Sequence, residues 1–120
     1  PERLIVAALG DGAYFFNNPA VMHFLSNTNN LPILMLIFNN ERWQAVRGST
    51  MQMYAEGFSA LMNEDVPLSG LKPSPAFEMY VKASGGLGIR VEDPNSLCPA
   101  LKEAIDAVRK GKQTLLNIQT

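Results

Sequence analysis

The sequence predicts an α/β fold, three-layer α/β/α around a mainly parallel sheet. Three observations carry that prediction. Short apolar runs take turns with segments of helical period, in the order β-α-β, a long excursion, then α-β-α-β. The runs are continuous rather than alternating, as in strands covered on both faces. Each of the first two runs ends in a tight polar or glycine-rich cluster.

Leu4 to Leu9 is the first such run, expected as a buried strand that stops in a loop at Gly10-Asp11-Gly12. Asn18 is a helix N-cap candidate with Pro19 at the first helical position, and Val21, Phe24, Leu25 and Thr28 follow at helical spacing. A helix over residues 19–28 with that stripe facing the core is expected. Asn29-Asn30 closes it, and Leu31 to Phe38 is the second buried strand, ending at Asn39-Asn40. From Glu41 to Ser74 periodicity weakens between Gly48, Gly57, Pro67, Gly70 and Pro73; residues 51–62 suit a partial helix and the rest a surface excursion. Ala76 to Ala83 reads as a helix stopped by Gly85-Gly86, and Leu87 to Val91 as a third strand. Leu97, Leu101, Ala104, Ile105 and Val108 form an apolar stripe opposite Lys102, Glu103, Asp106 and Arg109, with Pro99 leaving the helix start open by a turn. Gly111 ends that helix and Thr114 to Ile118 is the last strand. No repeat or linker divides residues 1–120, which read as one domain.

Composition narrows the function classes. A chain of 120 residues with 47% hydrophobic and 18% charged residues is a globular unit rather than a disordered tail. A net charge of −1 supplies no excess of cations for a phosphate backbone, so nucleic acid is not the expected partner. The longest apolar runs are six residues, against the ~20 a spanning helix needs, so no membrane is expected and the chain reads as cytoplasmic. Cys98, the single cysteine, permits neither an internal disulfide nor a cysteine-built metal cluster. Pro1 stands where a natural start would have Met, directly before a strand, so the chain is expected to be an incomplete piece lacking earlier elements.

Ligands of open parallel sheets sit at the carboxyl ends of strands, and two polar clusters occupy such ends here. Gly10-Asp11-Gly12 and Asn39-Asn40 each follow a buried run, with Asp11 and Asn40 29 positions apart. Were those strands neighbours, a carboxylate and an amide oxygen would converge. Hard oxygen ligands suit Mg²⁺, which takes few protein ligands and completes its shell with phosphate and water. Gly10 and Gly12 let backbone N–H groups approach an anion. The residues thus point to a Mg²⁺–diphosphate site, although each cluster alone is also a common turn signature.

The run GDGAYFFNNPAVMHFLSNTNNLPILMLIFNN resembles the thiamine diphosphate-binding motif in both ends, spacing, intervening helix and the Leu31-Pro32 entry to the second strand. With ERWQAVR and GLGIRVEDPNSLCPALKEAIDAVRKGKQTLLNIQT, nearly the whole chain is similar to the C-terminal cofactor domain of the acetolactate synthase and benzoylformate decarboxylase family. The resemblance implies Asp11, the Asn40 side chain and the Arg42 backbone carbonyl as Mg²⁺ ligands, with Asn39 the alternative metal-facing member. It implies Gly10, Gly12, Ala13, Asn40 and Arg42 around the cofactor, Gly12 and Ala13 offering N–H groups to the diphosphate, and Trp43 and Gln44 bordering the substrate. Relative to the commonest members of the family it resembles, the spacing between the two clusters is two residues longer, which implies an insertion near residues 16–18 or 27–30.

The same resemblance implies a 2-oxo acid substrate, decarboxylation with or without carboligation, and a homo-oligomer. It also implies missing N-terminal and middle domains of the same enzyme, one of them carrying the glutamate that activates the cofactor, so that no catalytic residue is expected here and the piece alone is expected to be inactive. Two other classes compete. A non-catalytic assembly module would keep the motif for folding, and a receiver-like regulator would need an acidic pair after the first strand and a strand-end lysine, neither of which is evident.

Other conspicuous residues have structural readings. His23 and Cys98 are expected in packing or surface roles, Gly85-Gly86-Leu87-Gly88 as a turn before a strand rather than a dinucleotide fingerprint, and Met51, Met53, Met62 and Met79 as adaptable packing against an absent domain. Trp43 suits a dimer contact as well as a substrate border.

Overall fold

Continuous aliphatic runs suit strands of a sheet covered on both faces, where side chains on either side of the strand leave water. In the computed structural model, which describes residues 3–61 and 66–120, these strands are β1 (Val6–Gly10), β2 (Leu34–Asn39), β3 (Leu87–Val91) and β4 (Thr114–Gln119). They form one sheet in the order β1-β2-β4-β3 with every pairing parallel. The helices are α1 (Asp11–Phe16), α2 (Pro19–Thr28), α3 (Gln44–Met53), α4 (Phe58–Leu61), α5 (Phe77–Ala83) and α6 (Pro94–Arg109).

Successive side chains of the central strands serve opposite faces, and two cores result. Leu34, Leu116, Ile118 and Val91 pack beneath Ala100, Ala104 and Val108 of α6. Met35, Ile37 and Leu115 pack on the other face against Tyr14 of α1 and Phe77 and Val81 of α5. The architecture is therefore the expected three-layer α/β/α with a parallel sheet. Gly88 lets β3 lie directly against α5, since a Cβ there would fall on the Glu78 backbone carbonyl.

Several expectations are corrected. Gly10-Asp11-Gly12 is not an open loop: Asp11 and Gly12 begin α1, packed against β1 and β2. The first strand, at the sheet edge, is not covered on both faces: Val6 is 48% exposed. The helix at 19–28 has the expected bounds and an Asn18 cap that accepts the Val21 N–H, but its apolar stripe faces outward. Val21, Phe24 and Leu25 are exposed while His23 is buried. The excursion contains α3 and α4, so its first helix starts seven residues before the expected position 51. Of the expected helix at 51–62, Met62 lies outside the described residues. The long helix starts at Pro94, capped by the Asp93 carboxylate on the Asn95 N–H, and accommodates Pro99 in its second turn.

Candidate functional site

Parallel pairing of β1 and β2 sets Gly10 opposite Phe38, so the chain leaves both strands side by side at one end of the sheet. Asp11, the first residue of α1, is 2% exposed. Its Oδ1 accepts the Gly12 N–H at 2.8 Å and its Oδ2 accepts the Arg42 N–H at 3.2 Å. The same Arg42 N–H reaches Asn40 Oδ1 at 3.1 Å. One backbone nitrogen thus marks the convergence of the Asp11 carboxylate and the Asn40 amide oxygen that the spacing of the two clusters anticipated.

The loop from Asn40 to Trp43 is held from outside the motif. Trp43 N–H donates to Ser69 C=O and Leu71 N–H to Glu41 C=O, both at 2.8 Å, while Arg42 and Gly70 form an antiparallel bridge. The far end of the excursion therefore returns to brace the loop. Glu41 takes a left-handed backbone, φ 58°, which is uncommon outside glycine and persists because hydrogen bonds fix both of its peptide groups.

A cavity of about 360 Å³ opens beside these oxygens. Gly10, Asp11, Gly12, Ala13, Asn40, Arg42 and Gln44 form part of its lining, with Phe16, Phe38, Trp43 and Val46 as the apolar wall. Trp43 meets Phe16 edge to face at 4.4 Å and rests over Gly12, where a Cβ would come 3.5 Å from the indole. The fold places Trp43 on the cavity wall.

The two asparagines have opposite fates. Asn39 is 1% exposed and turns inward, donating to Ser74 Oγ at 2.7 Å and Asn117 Oδ1 at 3.0 Å. Asn40, the first residue past β2, is exposed and lines the cavity. Gly12 N–H is directed at Asp11 Oδ1, whereas Ala13 N–H, in the first turn of a helix without a side-chain cap, has no partner within that helix.

A buried carboxylate is costly unless paired or bound to a cation. Among the described residues Asp11 has two backbone donors and takes part in no salt bridge. That leaves negative charge at the cavity wall beside the Asn40 oxygen, a donor set of hard oxygens that fits Mg²⁺. No cluster of three His, Cys, Asp or Glu exists among the described residues, so softer or all-protein metal cages are not supported there. Asp11, Asn40 and the Arg42 carbonyl are the residues that would hold such a cation.

His23 lies elsewhere, 1% exposed between α1 and the start of β4. Gln113 Nε2 donates to the His23 carbonyl at 2.7 Å, which leaves Gln113 Oε1 facing His23 Nδ1 at 2.9 Å. Nδ1 must then carry the proton, and Nε2 accepts the Tyr14 hydroxyl at 2.7 Å. Burial pushes the imidazole below its ordinary pKa, the Gln113 bond opposing. Burial, then the neighbouring Tyr80, pushes the Tyr14 phenol up. Cys98 is exposed on α6, and Gly85 takes φ 78° at the turn before β3. Met53 and Met79 are exposed.

Sequence reasoning did not single out Phe16, Phe38, Ser74, Glu78, Tyr14, Gln113, Asn117 or Thr120. Asn117 carried a usable signal, since a polar side chain in a strand covered on both faces requires a buried partner.

Comparison with known proteins gives a consistent picture. The family model for the thiamine pyrophosphate enzyme C-terminal TPP binding domain matches residues 1–118. Sulfoacetaldehyde acetyltransferase of Alcaligenes xylosoxydans xylosoxydans is 29% identical over 119 residues, covering 98% of this chain and 18% of that protein. 2-Hydroxyacyl-CoA lyase of Arabidopsis thaliana is 31% identical over 107 residues, covering 89% and 18% respectively. The acetolactate synthase large subunit of Mycobacterium tuberculosis is 28% identical over 124 residues, covering 100% and 19%. The thiamine diphosphate-dependent 4-hydroxybenzoylformate decarboxylase of Rhodococcus jostii RHA1 superposes on the whole chain with a TM-score of 0.78 at 20% identity, over 20% of its own length, and shows the shared fold. The chain spans less than a fifth of the length of these curated relatives.

Proposed function

The chain belongs to the thiamine pyrophosphate enzyme family as its C-terminal TPP-binding domain, and on that premise we propose that it holds the diphosphate end of the cofactor through Mg²⁺. Asp11 and Asn40 supply side-chain oxygens and Arg42 its backbone carbonyl. Ala13 offers a backbone N–H to the diphosphate from the first turn of α1. The observation that carries this reading is the buried Asp11 carboxylate, without a salt-bridge partner among the described residues, meeting Asn40 Oδ1 at one backbone nitrogen on the cavity wall.

The cofactor supplies the electron sink for cleaving or forming a carbon–carbon bond beside a carbonyl. This chain's residues bind and orient it: the braced 40–43 loop presents two oxygens, and Phe16, Phe38, Trp43 and Val46 give the cavity an apolar wall. The whole protein is proposed to be an acetolactate synthase-like enzyme acting on 2-oxo acids, decarboxylation being followed by carboligation. Similarity to an acetyltransferase, a lyase and an acetolactate synthase, all over nearly the full chain, supports that class. Further domains and a homo-oligomer are part of the proposal, and the small share of the relatives' length that the chain covers supports the further domains.

Calorimetric titration of thiamine diphosphate with Mg²⁺ and with chelator tests the site, on the unaltered protein and on Asp11→Ala and Asn40→Ala. Metal-dependent binding that both substitutions abolish is expected. Binding to the protein that survives chelation, or that neither substitution weakens, refutes it.

A further inference from the structure

Behind the loop that carries Asn40 and Arg42 runs a buried chain of polar groups that the cofactor reading does not use. Glu78, in the first turn of α5, is 8% exposed, and its Oε2 accepts Asn117 Nδ2 at 2.8 Å. Asn117, on β4, is fully buried and its Oδ1 accepts Asn39 Nδ2 at 3.0 Å. Asn39 Oδ1 in turn accepts the Glu41 N–H at 3.1 Å, and the Asn39 carbonyl accepts the Thr120 N–H at 2.9 Å. Glu41 is the left-handed residue of the loop and stands between Asn40 and Arg42.

The chain has a direction. A carboxylate only accepts, so Asn117 must turn its NH₂ to Glu78, which leaves Oδ1 for Asn39. Asn39 must then turn its own NH₂ to Asn117 and Ser74, which leaves its oxygen for Glu41. An amide flipped anywhere in the series would set donor against donor or acceptor against acceptor among buried groups, where a mismatch is costly. The acceptor at α5 thus orients the oxygen that holds the left-handed peptide between the two cavity-facing residues.

We infer that Glu78 is a positioning residue for the cofactor-metal loop, acting through Asn117 and Asn39 to fix Glu41 and thereby the placement of Asn40 and Arg42. The inference concerns loop geometry and rests on the Mg²⁺ reading only for its functional consequence. Arg90, whose guanidinium lies 3.9 Å from the other Glu78 oxygen, is outside the relay. Groups bonded directly to metal ligands typically change metal affinity about 10- to 100-fold when removed, and Glu78, which acts through Asn117, Asn39 and the Glu41 peptide, is expected at the low end of that range.

The test compares Glu78→Met, Glu78→Gln and Arg90→Met by hydrogen exchange at the Glu41 and Arg42 amides without cofactor, and by Mg²⁺-dependent thiamine diphosphate binding. Glu78→Met is expected to speed exchange at Glu41 and raise the Mg²⁺ concentration needed for binding severalfold, up to about tenfold. Glu78→Gln, which keeps an acceptor oxygen, and Arg90→Met, which keeps the relay, are expected to stay near the unaltered protein in both measurements. Should Glu78→Met fail to fold, Asn117→Leu, which removes the middle of the relay, is expected to show the same faster exchange. Unchanged Glu41 exchange in folded Glu78→Met or Asn117→Leu overturns the inference, as does Glu78→Gln losing as much as Glu78→Met. Failure of the Mg²⁺ reading is distinguishable: the unaltered protein would then bind without metal dependence, while the exchange pattern still decides the relay.

Discussion

Tyr14→Phe removes one oxygen from a fully enclosed network, and its cost follows from what is left behind. The Tyr14 hydroxyl is the donor to His23 Nε2 at 2.7 Å, and both residues are 1% exposed. With Nδ1 committed to Gln113 Oε1, Nε2 would remain a buried acceptor without a donor, a penalty of about 1–3 kcal/mol. Unfolding entropy near 2.1 cal/mol/K per residue amounts to about 0.25 kcal/mol/K for a chain this long, so Tm should fall by about 4–12 °C. Urea unfolding at pH 7.5 with an unchanged m-value and thermal unfolding followed by circular dichroism measure it. The same network sets a pH dependence. The folded pKa of His23 is lowered from 6.5, so in the window below 6.5 the unfolded chain binds the proton more readily. The contribution of His23 to stability is whole above that value and is lost as pH falls through the folded pKa. A Tyr14→Phe variant as stable as the unaltered chain, or a His23→Gln variant with an unchanged stability profile between pH 7.5 and 5, would refute the assignment of this network.

Two further substitutions probe the framework. Gly88→Ala places a methyl on the Glu78 backbone carbonyl, which can yield only if α5 shifts from β3, so a loss of about 1–3 kcal/mol in urea unfolding is expected. Asp93→Ala removes the carboxylate that accepts the Asn95 N–H at the start of α6 and should cost about 1 kcal/mol, whereas Asp93→Asn, which keeps an acceptor, should recover most of it.

Local chemistry dictated much of the molecule. Strands read from apolar runs appear because β2 and β4 are covered on both faces, and the bounds of α2 follow from Asn18 and Pro19 at its start. Asp11 and Asn40 were legible as a pair for the same reason: each follows directly on a strand, and parallel neighbours release their chains at one end of the sheet. Contacts distant in sequence decided the rest. The stripe of Val21, Phe24 and Leu25 looked like a core face, yet α2 buries His23 instead, because Tyr14 and Gln113, 9 and 90 positions away, satisfy its ring. Which of two adjacent asparagines faces the cavity is likewise a property of Ser74, Asn117 and Glu78, which give Asn39 its inward partners. Periodicity and caps are set by neighbours along the chain, so the sequence alone determined the four strands, the helices α2, α5 and α6, their order and the two polar clusters, while α1, α3 and α4 form on contacts that local pattern does not carry. The direction in which a polar side chain turns depends on donors and acceptors brought from 35 to 90 residues away. Only the tertiary structure could decide the braced loop, the buried relay and the cavity wall, because burial makes an unmatched polar group costly only after the chain has closed around it.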